Sequence, residues 1–190
     1  MKAYCLKWGN RYNADYVNYL QEMLNSDLVC LTDDPHGLKC EIKILPAIST
    51  KWWNKMIFFN EDFIDSPGVF YDLDIYFKKP VDLYQPAEYM RLLFTDWIDL
   101  HKLKEHTVDK KHQYCSINSS IMCWDSSTKR QHIWDFYRAH KDKIEFSFSG
   151  IDTYIEHRFP RHYTFYEDLN VSSFYRNGSS GDIILFEGVK

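Results

Sequence analysis

Short apolar runs alternate with stretches of helical periodicity over residues 1–80, and this alternation constrains the fold more than any other feature of the chain. Ala3–Leu6 is an apolar run that breaks at Lys7-Trp8-Gly9-Asn10, and Tyr16, Val17, Leu20, Met23 and Leu24 follow at helical spacing. Leu28–Leu31 is the next run, ending in the dense turn signal Thr32-Asp33-Asp34-Pro35-His36-Gly37. Ile42–Leu45 predicts a third short strand. Trp52, Trp53, Met56, Ile57 and Phe59 predict a buried helix that stops before the turn Asp65-Ser66-Pro67-Gly68. Val69-Phe70-Tyr71 then leads straight into Asp72-Leu73-Asp74, with Ile75-Tyr76-Phe77 after it. Strand–helix alternation of this kind predicts βαβ units in an α/β fold with a mostly parallel central sheet, whose ligand site lies at the C-terminal ends of the strands. The polar turns fall at those ends.

Beyond Pro86, the spacing of Tyr89, Leu92 and Leu93 predicts a helix leading to Trp97, followed by a lysine-rich polar stretch over residues 101–112 that reads as a mobile loop. Cys115–Trp124 predicts a strand punctuated by Asn118-Ser119-Ser120. Ile133, Trp134 and Tyr137 predict a helix, as does Gly150–His157 with Ile151, Tyr154 and Ile155 inward. A last apolar run spans Ile183–Phe186. With 190 residues and neither a repeat nor a linker, the expectation is a single domain over residues 1–190 with one active site.

A 45% hydrophobic and 26% charged composition is that of a folded chain. A net charge of −4 without a basic block disfavours binding to duplex nucleic acid. The five cysteines, Cys5, Cys30, Cys40, Cys115 and Cys123, lack CxxC spacing and are expected to be reduced, buried thiols. Met1–Lys7 carries no signal-peptide apolar region and no apolar run reaches membrane-spanning length, so the expected location is cytoplasmic. The histidines form neither HExxH nor a cysteine-paired zinc pattern, and GxSxG, P-loop and GxGxxG motifs are missing from the sequence.

Asp72 and Asp74 carry the clearest chemistry. Two aspartates separated by one apolar residue at a strand end are expected to project both carboxylates to one side of the sheet, with Leu73 pointing to the other. Such paired charges call for a counterion. Oxygen ligands suit Mg²⁺ or Mn²⁺, which keep waters and bridge to substrate phosphates.

Lys7-Trp8-Gly9 with Tyr12, Leu31-Thr32-Asp33-Asp34 with Gly37, Trp52-Trp53-Asn54-Lys55, Phe70-Tyr71-Asp72-Leu73-Asp74, Asn118-Ser119-Ser120-Ile121-Met122 and Phe186-Glu187-Gly188 occur in that order along nearly the whole chain. Together they resemble the GT-A glycosyltransferases, especially the short bacterial and viral members related to the glycogenin-like and galactosyltransferase groups. The resemblance implies a metal-dependent transferase that moves a sugar from a UDP- or GDP-sugar to an acceptor hydroxyl, with retention of configuration. The acceptor stays open between a glycan, another hydroxyl compound and a modified nucleic-acid base. By the same resemblance Asp72 and Asp74 bind metal and donor diphosphate, Lys7, Tyr12 and Asp33 lie near the nucleoside, Lys55 reaches the donor phosphate or sugar, and Asn118 contacts donor or acceptor sugar. Where relatives carry Phe-His-Gly this chain has Phe186-Glu187-Gly188, so Glu187 is the candidate third metal ligand. Asp152 stands where relatives carry an acidic residue and a glutamine, a candidate for sugar contact or catalysis. The alternative is a noncatalytic module that keeps the fold to bind a nucleotide, a sugar or a protein.

Overall fold

The computed structural model describes residues 1–49, 51–65, 67–95, 115–176 and 178–186, so the 101–112 stretch and Glu187 lie outside the described residues. Its strands are β1 (Lys2–Lys7), β2 (Leu28–Thr32), β3 (Glu41–Ile44), β4 (Gly68–Tyr71), β5 (Ile75–Phe77), β6 (Met90–Phe94), β7 (Ile117–Trp124), β8 (Tyr163–Phe165), β9 (Val171–Ser173) and β10 (Ile183–Leu185). The helices are α1 (Ala14–Met23), α2 (Gln131–Ser147) and α3 (Ile151–Arg158), and Lys51–Phe59 winds as a 3₁₀ helix.

Among the described residues, seven strands form the central sheet in the order β3-β2-β1-β4-β7-β6-β8. Only β7 runs against its neighbours; the β3–β2, β2–β1, β1–β4 and β6–β8 pairs are parallel. A small sheet of order β5-β10-β9 packs beside it. The two-residue period of the strands sorts the core into two layers. Tyr4, Leu6, Val29, Leu31, Phe70 and Trp124 face the 3₁₀ helix, α2 and α3. Ala3, Cys5, Cys30, Val69, Tyr71 and Cys123 face α1 and the small sheet. Gly68 opens β4 where no side chain fits, because a Cβ there would lie 2.5 Å from the Trp124 ring.

Several sequence expectations need correcting. Residues 90–94 are a strand, not a helix. Met90 and Leu92 enter one core layer and Leu93 the other by ordinary strand alternation, and with both faces buried the adjacent leucines imitate helical spacing. The β6–β7 register shifts between Leu92 and Leu93, whose partners are Met122 and Asn118. β8 and β9 are too short to announce themselves in sequence. The segment containing Trp52 and Trp53 is 3₁₀, with Trp53, Met56 and Phe59 stacked on one buried face at the three-residue period. All five cysteines are free, but only Cys5, Cys30 and Cys123 are buried; Cys40 and Cys115 are half-buried.

Candidate active site

Parallel strands deliver their C-terminal ends to one edge of the sheet, and the polar residues collect there. Lys7 ends β1 with its ammonium buried, donating to the Asp34 carbonyl at 3.1 Å and pairing with the Asp34 carboxylate at 3.3 Å. Gly9, in the left-handed region at φ 60°, donates its N–H to the Asp33 carboxylate at 3.0 Å. Lys7 and Asp33 therefore lock the loop after β1 to the loop after β2. Tyr12 reaches the next strand end, its hydroxyl donating to Asp74 Oδ2 at 3.1 Å. Burial, and next the Asp74 charge, push its phenol up.

Asp72-Leu73-Asp74 is a turn between β4 and β5, not a continuation of the strand. The alternating geometry expected of a strand is consequently lost. Leu73 is buried in the α1-side core layer, Asp74 bonds Tyr12, and Asp72 turns to Lys55. Lys55 Nζ stands 2.6 Å from Asp72 Oδ2, 3.3 Å from Ser119 Oγ and 3.4 Å from the Ser119 carbonyl. The Ser119 N–H donates to Asp152 Oδ1 at 3.0 Å, and the Asp72 N–H donates to the Ser120 carbonyl at 2.8 Å. At the register shift Ser119, Ser120 and Ile121 are passed over by β6, while Ile121 stays paired with Tyr71 of β4 and the Ser120 carbonyl extends that pairing to Asp72. Asn118 Oδ1 accepts from the Ser120 N–H at 2.8 Å and holds the irregular stretch in place.

The electrostatics of this cluster are unbalanced. Burial alone would depress Lys55, but Asp72, Asp152 and Asp74 outweigh it and raise its pKa. Asp72 is nevertheless pushed up to about 7, because burial and Asp74 together exceed the help from Lys55. The two shifts agree once the charges are counted. One ammonium faces three carboxylates and cannot neutralise them all, and Asp152 is likewise raised by burial despite Lys55. Fully ionised, the four groups carry 1 − 3 = −2 charges.

Two cavities flank the charge cluster, one lined by Lys55 and Asp152 and the other by Leu73 and Asp74 of the aspartate turn. The first, of 380 Å³, is lined by Trp52, Lys55, Asn118 and Asp152, with Thr95, Thr153 and Arg176 among its other walls. The second, of 790 Å³, lies between α1 and the small sheet and is walled by aromatic rings, Tyr12, Tyr16, Tyr19, Tyr76, Tyr175 and Phe186, with Asp74 at its edge.

No protein-family model matches the chain, and no curated protein matches it. Solved structures do. Galactosyltransferase LgtC in complex with donor and acceptor sugar analogs aligns over 100% of this chain and 88% of its own at a TM-score of 0.59 and 10% identity. A glycosyltransferase involved in glycosylating the major capsid of PBCV-1 aligns over 99% of this chain and 95% of its own, with a TM-score of 0.53 and 10% identity. GlyE of Streptococcus pneumoniae TIGR4 matches 88% of this chain and 46% of its own at 0.52 and 10% identity. The chain has the GT-A glycosyltransferase fold.

Within that GT-A fold the sequence-selected residues divide into three groups. Lys55, Asp152 and Asn118 line the first cavity, with Asp72 paired to Lys55; Tyr12 and Asp74 line the second, and Lys7 and Asp33 brace the loops between strand ends. Sequence reasoning did not single out Ser119, Thr95 or Arg176, nor, Tyr12 apart, the tyrosines of the second cavity. Tyr16 and Tyr19 carried a faint signal, lying one helical turn apart on α1 where core packing does not require both.

Proposed function

We propose that residues 1–190 form one GT-A domain that transfers a sugar from a nucleoside-diphosphate donor to an acceptor hydroxyl. The observation that carries this reading is the Lys55–Asp72–Asp152 cluster set between a polar and an aromatic cavity. Its excess negative charge calls for a further cation. Among the described residues no three His, Cys, Asp or Glu side chains converge as a ready metal site. The donor set nonetheless fits an oxygen-seeking cation, since Asp72 and Asp74 lie one residue apart and such ions complete their shell with water and phosphate oxygens. Asp72 and Asp74 would hold Mn²⁺ or Mg²⁺, which when bound neutralises charge on the donor diphosphate.

The chain's own groups supply the rest. The aromatic walls of the second cavity suit a flat nucleobase, with Tyr12 carrying the donor into contact with Asp74. The Lys55 ammonium stabilises negative charge on the leaving diphosphate, and burial strengthens that attraction. Asp152, on the wall of the first cavity, stabilises positive charge developing at the anomeric carbon. Asn118 contacts the sugar hydroxyls from the same wall.

The noncatalytic alternative draws on Glu187, which replaces the relatives' histidine. Release of nucleoside diphosphate from a panel of UDP- and GDP-sugars with Mn²⁺ separates the two. Turnover that disappears in Lys55→Met supports the transferase; binding of a nucleotide sugar without any turnover supports the module.

A further inference from the structure

Trp52 and Lys55 are three residues apart on the 3₁₀ helix, and both line the 380 Å³ cavity. At three residues per turn they project from one face, separated by about 6 Å along the axis, roughly the width of one sugar ring. Trp53, the next residue, is buried in the core, but Trp52 keeps 43% of its surface exposed. A large apolar ring left open inside a polar cavity needs a reason.

Two features hold it there. Lys51, which launches Trp52, sits at φ 56°, a left-handed conformation that a long L side chain rarely adopts. The Lys51 ammonium lies over the indole, 5.5 Å from the ring centroid, and steadies it. Gly150, on the facing wall, carries no side chain; a Cβ there would stand 3.5 Å from Trp52 Nε1 and begin to fill the space beside the ring. Around that space the walls carry the uncharged polar groups Thr95, Asn118, Ser149 and Thr153, with the Thr153 hydroxyl donating to the Gly150 carbonyl and Asn118 Oδ1 accepting from the Ser120 N–H.

We propose that Trp52 is the stacking platform for a pyranose ring of the acceptor, and hence that the acceptor is a saccharide. A pyranose has the required shape, one apolar C–H face for the indole and a rim of hydroxyls for the threonines, serine and asparagine. A nucleic acid would also offer a flat ring, but beside the indole the walls present mostly uncharged hydroxyl and amide groups, with Lys55 and Arg176 the cations and Asp152 opposing any phosphate. The inference rests on the transferase reading for its assignment to the acceptor. The one-turn offset then sets the acceptor ring next to the bond that breaks at Lys55.

The test is saccharide-observed saturation-transfer NMR on the full chain, using methyl β-galactopyranoside, methyl α-glucopyranoside, lactose and an oligothymidylate as separate probes. At least one saccharide should bind through its ring hydrogens. Trp52→Phe should weaken it a few-fold and Trp52→Ala at least about tenfold, with folding followed by thermal melting. Gly150→Leu, which fills the space beside the ring, gives a second route to the same loss should Trp52→Ala fail to fold. Wild type binding none of the saccharides, binding only the oligothymidylate, or folded Trp52→Ala binding as wild type, would overturn the platform. Nucleoside diphosphate release by wild type is measured alongside. Ring-dependent saccharide binding without release upholds the platform and sinks the transferase, whereas release without such binding does the reverse.

Discussion

The cavity beside Lys55 and the cavity beside Tyr12 flank the same charge cluster yet are built from opposite materials. The first is polar and crowded with charge, its walls drawn from the 3₁₀ helix, the irregular stretch of β7 and the start of α3. The second is aromatic, with α1 on one side and the small sheet on the other, and Asp74 is its point of contact with the charge cluster. The difference separates two tasks. A polar cavity with a buried ammonium can stabilise charge that appears during a reaction, whereas an aromatic cavity can grip a flat group without changing its reactivity. Asp72 and Asp74 belong one to each side, joined respectively to Lys55 and Tyr12.

Breaking the polar side should have the largest effect. Lys55→Met removes the ammonium and leaves Asp72 buried without its partner, so kcat for donor turnover should fall by about 10²–10³-fold. Denaturant unfolding should show a stability loss of about 3 kcal/mol, since the partner charge stays behind. Tyr12→Ala should act on the other side, raising KM for the donor about tenfold with a smaller change in kcat. Were Tyr12→Ala to lower kcat at unchanged KM, the division of labour between the cavities would be wrong.

A pH series sharpens the contrast because Asp72 is the carboxylate pushed up to about 7. Its folded pKa exceeds the unfolded value near 4, so the folded protein holds a proton that the unfolded chain has released. The Asp72 contribution to stability is therefore fully present below about pH 4 and lost as pH rises through about 7, with a slope no steeper than about 1.4 kcal/mol per pH unit. Urea unfolding of wild type against Asp72→Asn between these limits should show that slope flattened in the variant. The smallest effect is expected at the loop brace. Asp33→Ala removes the acceptor of the Gly9 N–H and should cost about 1 kcal/mol in thermal unfolding. Catalysis should change little.

The fold was largely legible because the first four strands of the central sheet advertise themselves. β1, β2 and β4 carry the unbroken apolar runs Ala3–Leu6, Leu28–Leu31 and Val69–Tyr71 and lead into polar turns, as strands covered on both faces should. Residues 90–94 misled because β6 is buried on both faces at Leu92 and Leu93, which hides the strand alternation, and the register shift against β7 at that point positions the Ser119 backbone. Asp72, Asp74 and Lys55 were readable as a charged cluster placed against apolar neighbours. Their pairing was not. Which aspartate meets Lys55 and which meets Tyr12 depends on the turn after Tyr71, whose side-chain directions no spacing rule contains. The aromatic cavity was hidden for another reason, since its walls come from α1, the end of the aspartate turn and the last strands, far apart in sequence.

The most direct test of the account is nucleoside diphosphate release from UDP- and GDP-sugars with Mn²⁺, comparing wild type with the Asp72→Asn/Asp74→Asn double variant. The account predicts metal-dependent release from at least one donor, reduced to background in the variant with its fold intact. Release that persists in the double variant, or a wild type that neither turns over nor binds any of the donors, would contradict it.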